Sequence, residues 1–122
     1  MSSYDASNVF AKILRGEIPC KKVYEDEHAL AFNDLHPQAP THILVIPKGP
    51  YVSYDDFIVS ASDEEIVGFQ QALAKTINAA DIVATGYRLI SNAGVNAHQE
   101  VPHYHVHILG GKELGPLLIK AA

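Results

Sequence analysis

Hydrophobic positions in the first third of the chain predict one helix and two strands. Residues 7–15 place their apolar side chains on one helical face, and Gly16 directly after them is typical of a helix end. Residues 22–25 and 29–33 have strand character and are separated by an acidic turn. Two prolines in 35–41 predict a loop, because proline supports neither strand pairing nor helix continuation.

The remaining apolar patterns predict three more strands and one long helix. Residues 42–47, 87–91 and 104–109 are predicted strands. A helix is expected to begin at Ser62, because Ser62 and Glu65 have the spacing of a capping box. Apolar residues then recur at helical spacing: Ile66, Phe69, Leu73, Ile77 and Ala80.

This order of elements favours an α+β fold over a doubly wound one. Strand-to-strand connections dominate, and no regular alternation of strands and helices is present. We therefore expect an antiparallel five-stranded sheet with two helices, formed by a single domain over residues 1–122. A polar loop, 92–102, joins the last two strands.

Composition excludes several classes of protein. The formal net charge is −5 and no run of Lys or Arg occurs, which argues against a general nucleic-acid binder. Cys20 is the single cysteine, so neither an intramolecular disulfide nor a thiolate cluster can form. No apolar run approaches the roughly 20 residues that span a membrane, and no secretion signal is evident. The sequence predicts a cytoplasmic protein that binds no membrane.

The segment 103–109 carries the strongest chemical signal, because His103, His105 and His107 alternate with apolar or aromatic residues. In a strand, side chains two positions apart share a face, so the three imidazoles are expected in a row, roughly 6–7 Å apart. Three buried imidazoles are unfavourable without polar partners. This pattern therefore indicates a functional site.

Two kinds of site fit this row of histidines. Zinc is commonly bound by imidazoles at this spacing, and His42 can add a ligand, although no nearby carboxylate or cysteine is evident. Alternatively, one neutral imidazole attacks phosphorus while its neighbours fix its tautomer and contact the phosphate. The residues alone leave both interpretations open.

Three blocks of the chain resemble the histidine triad (HIT) superfamily, and in particular its Hint-type branch of nucleoside phosphoramidases. Residues 103–109, His-Tyr-His-Val-His-Ile-Leu, are similar to the signature of the superfamily. Residues 8–19 resemble the opening helix and turn of the branch, and residues 31–48 resemble its nucleoside-binding strand, loop and following strand. The resemblance implies a HIT-like fold.

The resemblance also implies catalytic roles. His105 matches the nucleophile, which carries the nucleotidyl group as a covalent intermediate, and His107 matches the residue that contacts the α-phosphate. His103 and His42 match supporting histidines that orient the other two from behind.

A second set of residues is implied to bind the nucleotide. Asp34 matches the acid that accepts both ribose hydroxyls. Three residues match the apolar walls around the purine: Phe10, Phe32 and Leu35. Asn92 and Gln99 match amides that contact the phosphate and its surroundings.

Three features depart from the pattern of the branch. Glu100 stands where many members have a small hydroxyl residue that helps to protonate the departing amine, and Asn33 stands where a histidine is common beside the ribose acid. A carboxylate at position 100 can act as a general acid or repel the phosphate. The tail, 112–122, lacks the aromatic-proline ending of eukaryotic relatives, where the tail reaches the site of the partner subunit.

The function implied by the resemblance is hydrolysis of a purine nucleoside phosphoramidate, or a related AMP or GMP conjugate, by a homodimer. No cofactor or metal is expected to be required, although zinc can bind adventitiously to the imidazoles. Two alternatives remain: a dinucleoside polyphosphate hydrolase of the same superfamily, and a non-catalytic zinc-binding or adaptor protein.

Overall fold

The computed structural model describes residues 4–118, which form one sheet and three helices. The helices are α1 (Val9–Leu14), α2 (Tyr54–Ser60) and α3 (Asp63–Ala79), and the strands are β1 (Lys22–Glu25), β2 (Ala29–Asn33), β3 (Thr41–Pro47), β4 (Tyr87–Ile90) and β5 (Val106–Gly110). None of the helices within the described range is long and apolar enough to cross a membrane.

The five strands form one antiparallel sheet in the order β1-β2-β3-β5-β4. Strand β3 lies at the centre, where it pairs with β2 on one side and β5 on the other. Leu44 of β3 lies opposite His107 of β5, and His42 lies opposite Leu109. His42 and His107 therefore project from the same face of two neighbouring central strands.

Helices α2 and α3 cover one face of the sheet. Phe57 of α2 and Phe69 of α3 are fully buried there and pack around Tyr104. The capping box predicted at the start of α3 is confirmed, because Ser62 Oγ accepts the N–H of Glu65 and the Glu65 carboxylate accepts the N–H of Ser62. This layer makes the sheet a rigid base for its other face.

The short helix α1 covers only part of the opposite face. Asn8 caps it by accepting the N–H of Ala11, and Phe10 packs edge-to-face on Phe32 of β2. Leu30, Leu44 and Ile46 complete this smaller apolar cluster. The part of the face that α1 leaves uncovered carries the histidines.

The predicted five-stranded antiparallel sheet is confirmed, but the number of helices was wrong. Helix α2 was missed because Phe57 is its only buried residue, whereas Tyr54, Ile58 and Val59 are exposed, so the segment has no periodic apolar stripe. Its Ser53 cap was the available signal. A single 3₁₀ turn, Val95–Ala97, also interrupts the predicted loop at 92–102.

The start of the last strand was also wrong. Strand β5 begins at Val106, not at residue 104, so His103 and His105 precede it and only His107 lies within it. The three histidines therefore do not form a regular row on one strand face.

Candidate active site

A cavity of about 400 Å³ opens on the face of the sheet that α1 partly covers. Ten of the residues predicted for the site line it: Phe10, Phe32, Asn33, Asp34, Leu35, Asn92, Gln99, Glu100, His105 and His107. The other two, His42 and His103, are buried and do not line it.

His105 is held by the main chain of its own segment. Its Nδ1 lies 2.7 Å from the carbonyl oxygen of His103, and a carbonyl can only accept, so Nδ1 carries the proton. The Nε2 atom of His105 then keeps its lone pair in the neutral ring. The edge of Phe10 packs against this imidazole, with ring centroids 5.0 Å apart.

The side chain of His103 is fully buried and has a partner at each nitrogen. Its Nε2 lies 2.9 Å from the carbonyl oxygen of Pro47, so Nε2 donates. Its Nδ1 then accepts from the hydroxyl of Tyr4 at 2.6 Å. His103 therefore supports His105 through its main-chain carbonyl, while its imidazole anchors that segment beneath the cavity.

His42 and His107 form a second hydrogen-bonded pair with a fixed direction. The main-chain N–H of Gln38 donates to Nδ1 of His42 at 3.0 Å, which places the His42 proton on Nε2. The Nε2–H of His42 in turn donates to Nδ1 of His107 at 2.9 Å. In neutral His107 the remaining proton therefore lies on Nε2, and the cavity holds one imidazole donor beside one imidazole acceptor.

Burial disfavours the charged forms of His103, His105 and His107. It lowers the pKa of His103 from its ordinary value of 6.5 to about 4, against the favourable contact with the Pro47 carbonyl. Burial also lowers the pKa of His107 to about 4, and the neighbouring His105 and His42 lower it further. The pKa of His105 is lowered by burial as well, although the His103 carbonyl and the charges of Asp34 and Glu100 oppose this shift.

Comparison with known proteins identifies the family. The family model described as "HIT domain" matches residues 15–114, which is most of the chain. The chain belongs to the HIT family.

Individual HIT proteins show similarity along almost their whole length. A purine nucleoside phosphoramidase of Escherichia coli is 46% identical over 111 residues, covering 90% of this chain and 92% of that protein. A 14 kDa zinc-binding protein of Zea mays is 43% identical over 114 residues, covering 90% and 86%. The structure of a HIT family hydrolase from Clostridium thermocellum matches with a TM-score of 0.80 and 36% identity, covering 93% and 97%.

The fold brings Asp34 next to His42, a proximity that the sequence did not reveal. Asp34 Oδ1 accepts the N–H of His36 at 2.8 Å, and its Oδ2 lies 3.5 Å from His42 Nε2. One ligand atom each from Asp34, His42 and His107 lie within 4.8 Å of one another. The expectation that no carboxylate accompanies the histidines is therefore wrong, and these three residues can bind a divalent metal ion.

The predicted apolar walls belong to both the core and the cavity. Phe10 and Phe32 are buried in the smaller apolar cluster and line the cavity with Leu44. Leu35 also lines it but is 81% exposed, so it lies at the rim. Together these side chains form an apolar compartment on the side of the cavity next to α1.

The loop 92–102 contributes the polar side of the cavity. The amide of Gln99 is used within the protein, because Nε2 donates to the carbonyls of Val52 and Val101 and Oε1 accepts the N–H of Gly94. Asn92 and Glu100 line the cavity beside it, and Asn33 closes the end of β2. Gln99 thus fastens the loop to the segment before α2.

Sequence reasoning missed three groups that determine the state of the histidines. They are the hydroxyl of Tyr4, the carbonyl of Pro47 and the main-chain N–H of Gln38. Tyr4 is 99 residues from His103 along the chain, and the other two are main-chain groups. No side-chain pattern signals contacts of this kind.

We expect the free energy of unfolding to decrease as the pH falls from about 6.5 to 5. The histidines of the unfolded chain take up protons in this range, whereas His103 and His107 stay neutral until the pH approaches 4. Each contributes up to about 1.4 kcal/mol per pH unit. Urea unfolding across this range measures the slope, and His107→Asn should reduce it. A flat profile contradicts the assignment.

Proposed function

We propose that this protein hydrolyses purine nucleoside phosphoramidates or closely related nucleotidyl conjugates, with His105 as the nucleophile. The observation that carries the proposal is the hydrogen bond from His105 Nδ1–H to the His103 carbonyl, which leaves Nε2 unprotonated in the cavity. The similarity to a protein named purine nucleoside phosphoramidase and to a HIT family hydrolase supports the same reaction class.

In the first step, Nε2 of His105 attacks phosphorus, a bond forms between them, and the bond from phosphorus to the leaving nitrogen breaks. The departing amine takes up a proton. Nε2–H of His107 donates to a phosphate oxygen, where charge develops during the attack; the hydrogen bond from His42 and the position of His107 at the cavity support this role.

In the second step, water attacks phosphorus and displaces Nε2 of His105. The water loses a proton, which balances the proton gained by the amine, and the nucleoside monophosphate is released. Dividing one difficult displacement into two is the advantage of a covalent intermediate.

The nucleoside is assigned to the side of the cavity next to α1. Phe10, Phe32 and Leu44 provide apolar surface for a flat base, and purine is favoured by the similarity to the phosphoramidase. Asp34 is half-buried at the cavity wall, where its carboxylate can accept the ribose hydroxyls.

We also propose that the protein is a homodimer joined along β4. Tyr87 and Leu89 on this edge strand are exposed and apolar, and Arg88 between them donates to the Gly115 carbonyl, whereas the opposite edge strand, β1, carries exposed Lys22 and Glu25. Charged edges discourage strand pairing, and apolar edges allow it.

Zinc binding is a second candidate function. The grouping of Asp34, His42 and His107 favours it, as does the similarity to a protein named as zinc-binding. Zinc at these residues would occupy the proposed ribose acid and the proposed phosphate donor, so the two functions compete for the same groups.

The first prediction concerns the nucleophile. His105→Ala should lower turnover of an adenosine phosphoramidate by several orders of magnitude, up to about 10⁶-fold, because the covalent route is lost. His107→Ala should lower it less, and His28→Ala, which lies outside the cavity, should leave it unchanged. Rapid quenching followed by mass spectrometry of the peptide 103–107 should find the nucleotidyl group on His105.

The same assay separates the alternatives. Turnover of the adenosine phosphoramidate should persist in the presence of a chelator. It should also be faster than turnover of a diadenosine polyphosphate. Activity that returns only with zinc, faster cleavage of the polyphosphate, or a nucleotidyl group on another histidine would each contradict this assignment.

The ribose assignment has a separate test. Asp34→Asn should weaken AMP binding about 10- to 150-fold, since a hydrogen bond to a charged group contributes roughly 1.5–3 kcal/mol. Calorimetry with a dideoxyribose analogue is the control, because a ligand without the two hydroxyls should bind both proteins alike. An equal loss for both ligands is evidence against the assignment.

Light scattering tests the dimer. At micromolar concentration the measured mass should be twice the chain mass of 13.3 kDa, and Leu89→Lys should yield monomer. Val59→Lys adds the same charge at another exposed apolar position and should leave the dimer intact. A monomeric wild-type protein would refute the proposal.

A further inference from the structure

A second cavity, of about 420 Å³, adjoins the proposed active site. It is formed by the loop 92–102, with Gly94, Val95 and Pro102 along its far side. His98, Gln99 and Glu100 line both cavities, so the two share a wall. The space available to a ligand therefore extends beyond the compartment assigned to the nucleotide.

The position of this cavity identifies the part of the substrate that it can take. The base and ribose are assigned to the apolar compartment and Asp34, and the phosphate to His105 and His107. The group on the other side of phosphorus must extend away from the apolar compartment. The adjoining cavity shares the polar wall of His98, Gln99 and Glu100 with the active site and none of its apolar walls, so it can take the leaving group.

Charge around this cavity has one sign. Among residues 4–118, no Lys or Arg lines either cavity, whereas the shared wall carries the Glu100 carboxylate. Within residues 4–118, Glu100 makes no hydrogen bond or ion pair, and it is exposed. Its charge also reaches the reaction centre, because it is among the influences that raise the pKa of His105 against burial.

The loop that presents Glu100 is fastened at several points. Gln99 binds Val52, Val101 and Gly94 through its amide, and the main-chain N–H of Gln99 donates to the Gly94 carbonyl at 3.1 Å. The main chain at Glu100 is therefore held beside the cavity, and its exposed carboxylate can meet a ligand there. A charge at such a position can discriminate between ligands.

We propose that the cavity bounded by Gly94, Val95 and Pro102 is the leaving-group site, and that Glu100 makes it select amines that carry a second, positive charge. This inference rests on the proposed function and adds the substrate class. Val95, which is 91% exposed, supplies apolar contact for the alkyl portion of such an amine.

The test uses adenosine phosphoramidates of three five-carbon amines that end in an ammonium, a hydroxyl or a carboxylate. For the wild-type protein, kcat/KM should fall in that order, by roughly tenfold from ammonium to carboxylate at low ionic strength. Glu100→Gln should abolish this charge preference and Glu100→Lys should reverse it. Molar salt should weaken it, because the contact is exposed to solvent.

Glu64→Gln is the matched control. It removes one exposed carboxylate from the first turn of α3, on the opposite face of the sheet, and should leave the charge preference unchanged. An equal preference in Glu100→Gln and wild type overturns the inference, as does a uniform loss for all three substrates, which would make Glu100 a general acid. Failure of the wild-type protein to cleave any of the three would instead contradict the proposed function itself.

Discussion

The hydrogen bond between His105 Nδ1 and the main-chain carbonyl of His103 is the interaction on which the site depends. A carbonyl oxygen cannot donate, so this contact of 2.7 Å fixes one tautomer and leaves Nε2 as an acceptor. The His103 imidazole secures that carbonyl from below, through Tyr4 and Pro47. A main-chain group therefore sets the tautomer of the proposed nucleophile.

In the pair His42 and His107, a main-chain group also fixes the tautomer, but the ring that lines the cavity becomes a donor. Gln38 N–H fixes His42, and His42 fixes His107 as a donor towards the cavity. Burial lowers the pKa of His105 and that of His107. Protonation would remove the lone pair of His105 Nε2, and at His107 it would place a second N–H opposite that of His42. His105 thus presents an acceptor and His107 a donor, because a main-chain carbonyl fixes the first and a main-chain N–H, acting through His42, fixes the second.

Much of this arrangement was accessible from the sequence, because strands, caps and the His-x-His-x-His motif are local patterns. Ten of the twelve predicted site residues line the cavity. Helix α2 could not be predicted, because it buries only one side chain. The approach of Asp34 to His42 could not be predicted either, because the loop between β2 and β3 creates it. Contacts made by Tyr4 and by main-chain groups depend on the completed fold and have no local signature.

Within the part of the chain that the structure describes, no Lys or Arg lines either cavity, and this bears on turnover in the proposed reaction. A phosphoramidate ester of a nucleoside carries one negative charge at phosphorus, whereas the monophosphate product carries up to two near neutral pH. In the proposed reaction, neutral imidazoles would bind both species through hydrogen bonds, but Asp34 and Glu100 would repel the product more strongly than the substrate. A fixed cation would do the opposite and retain the product. Neutral donors and nearby carboxylates therefore bias the proposed site towards release.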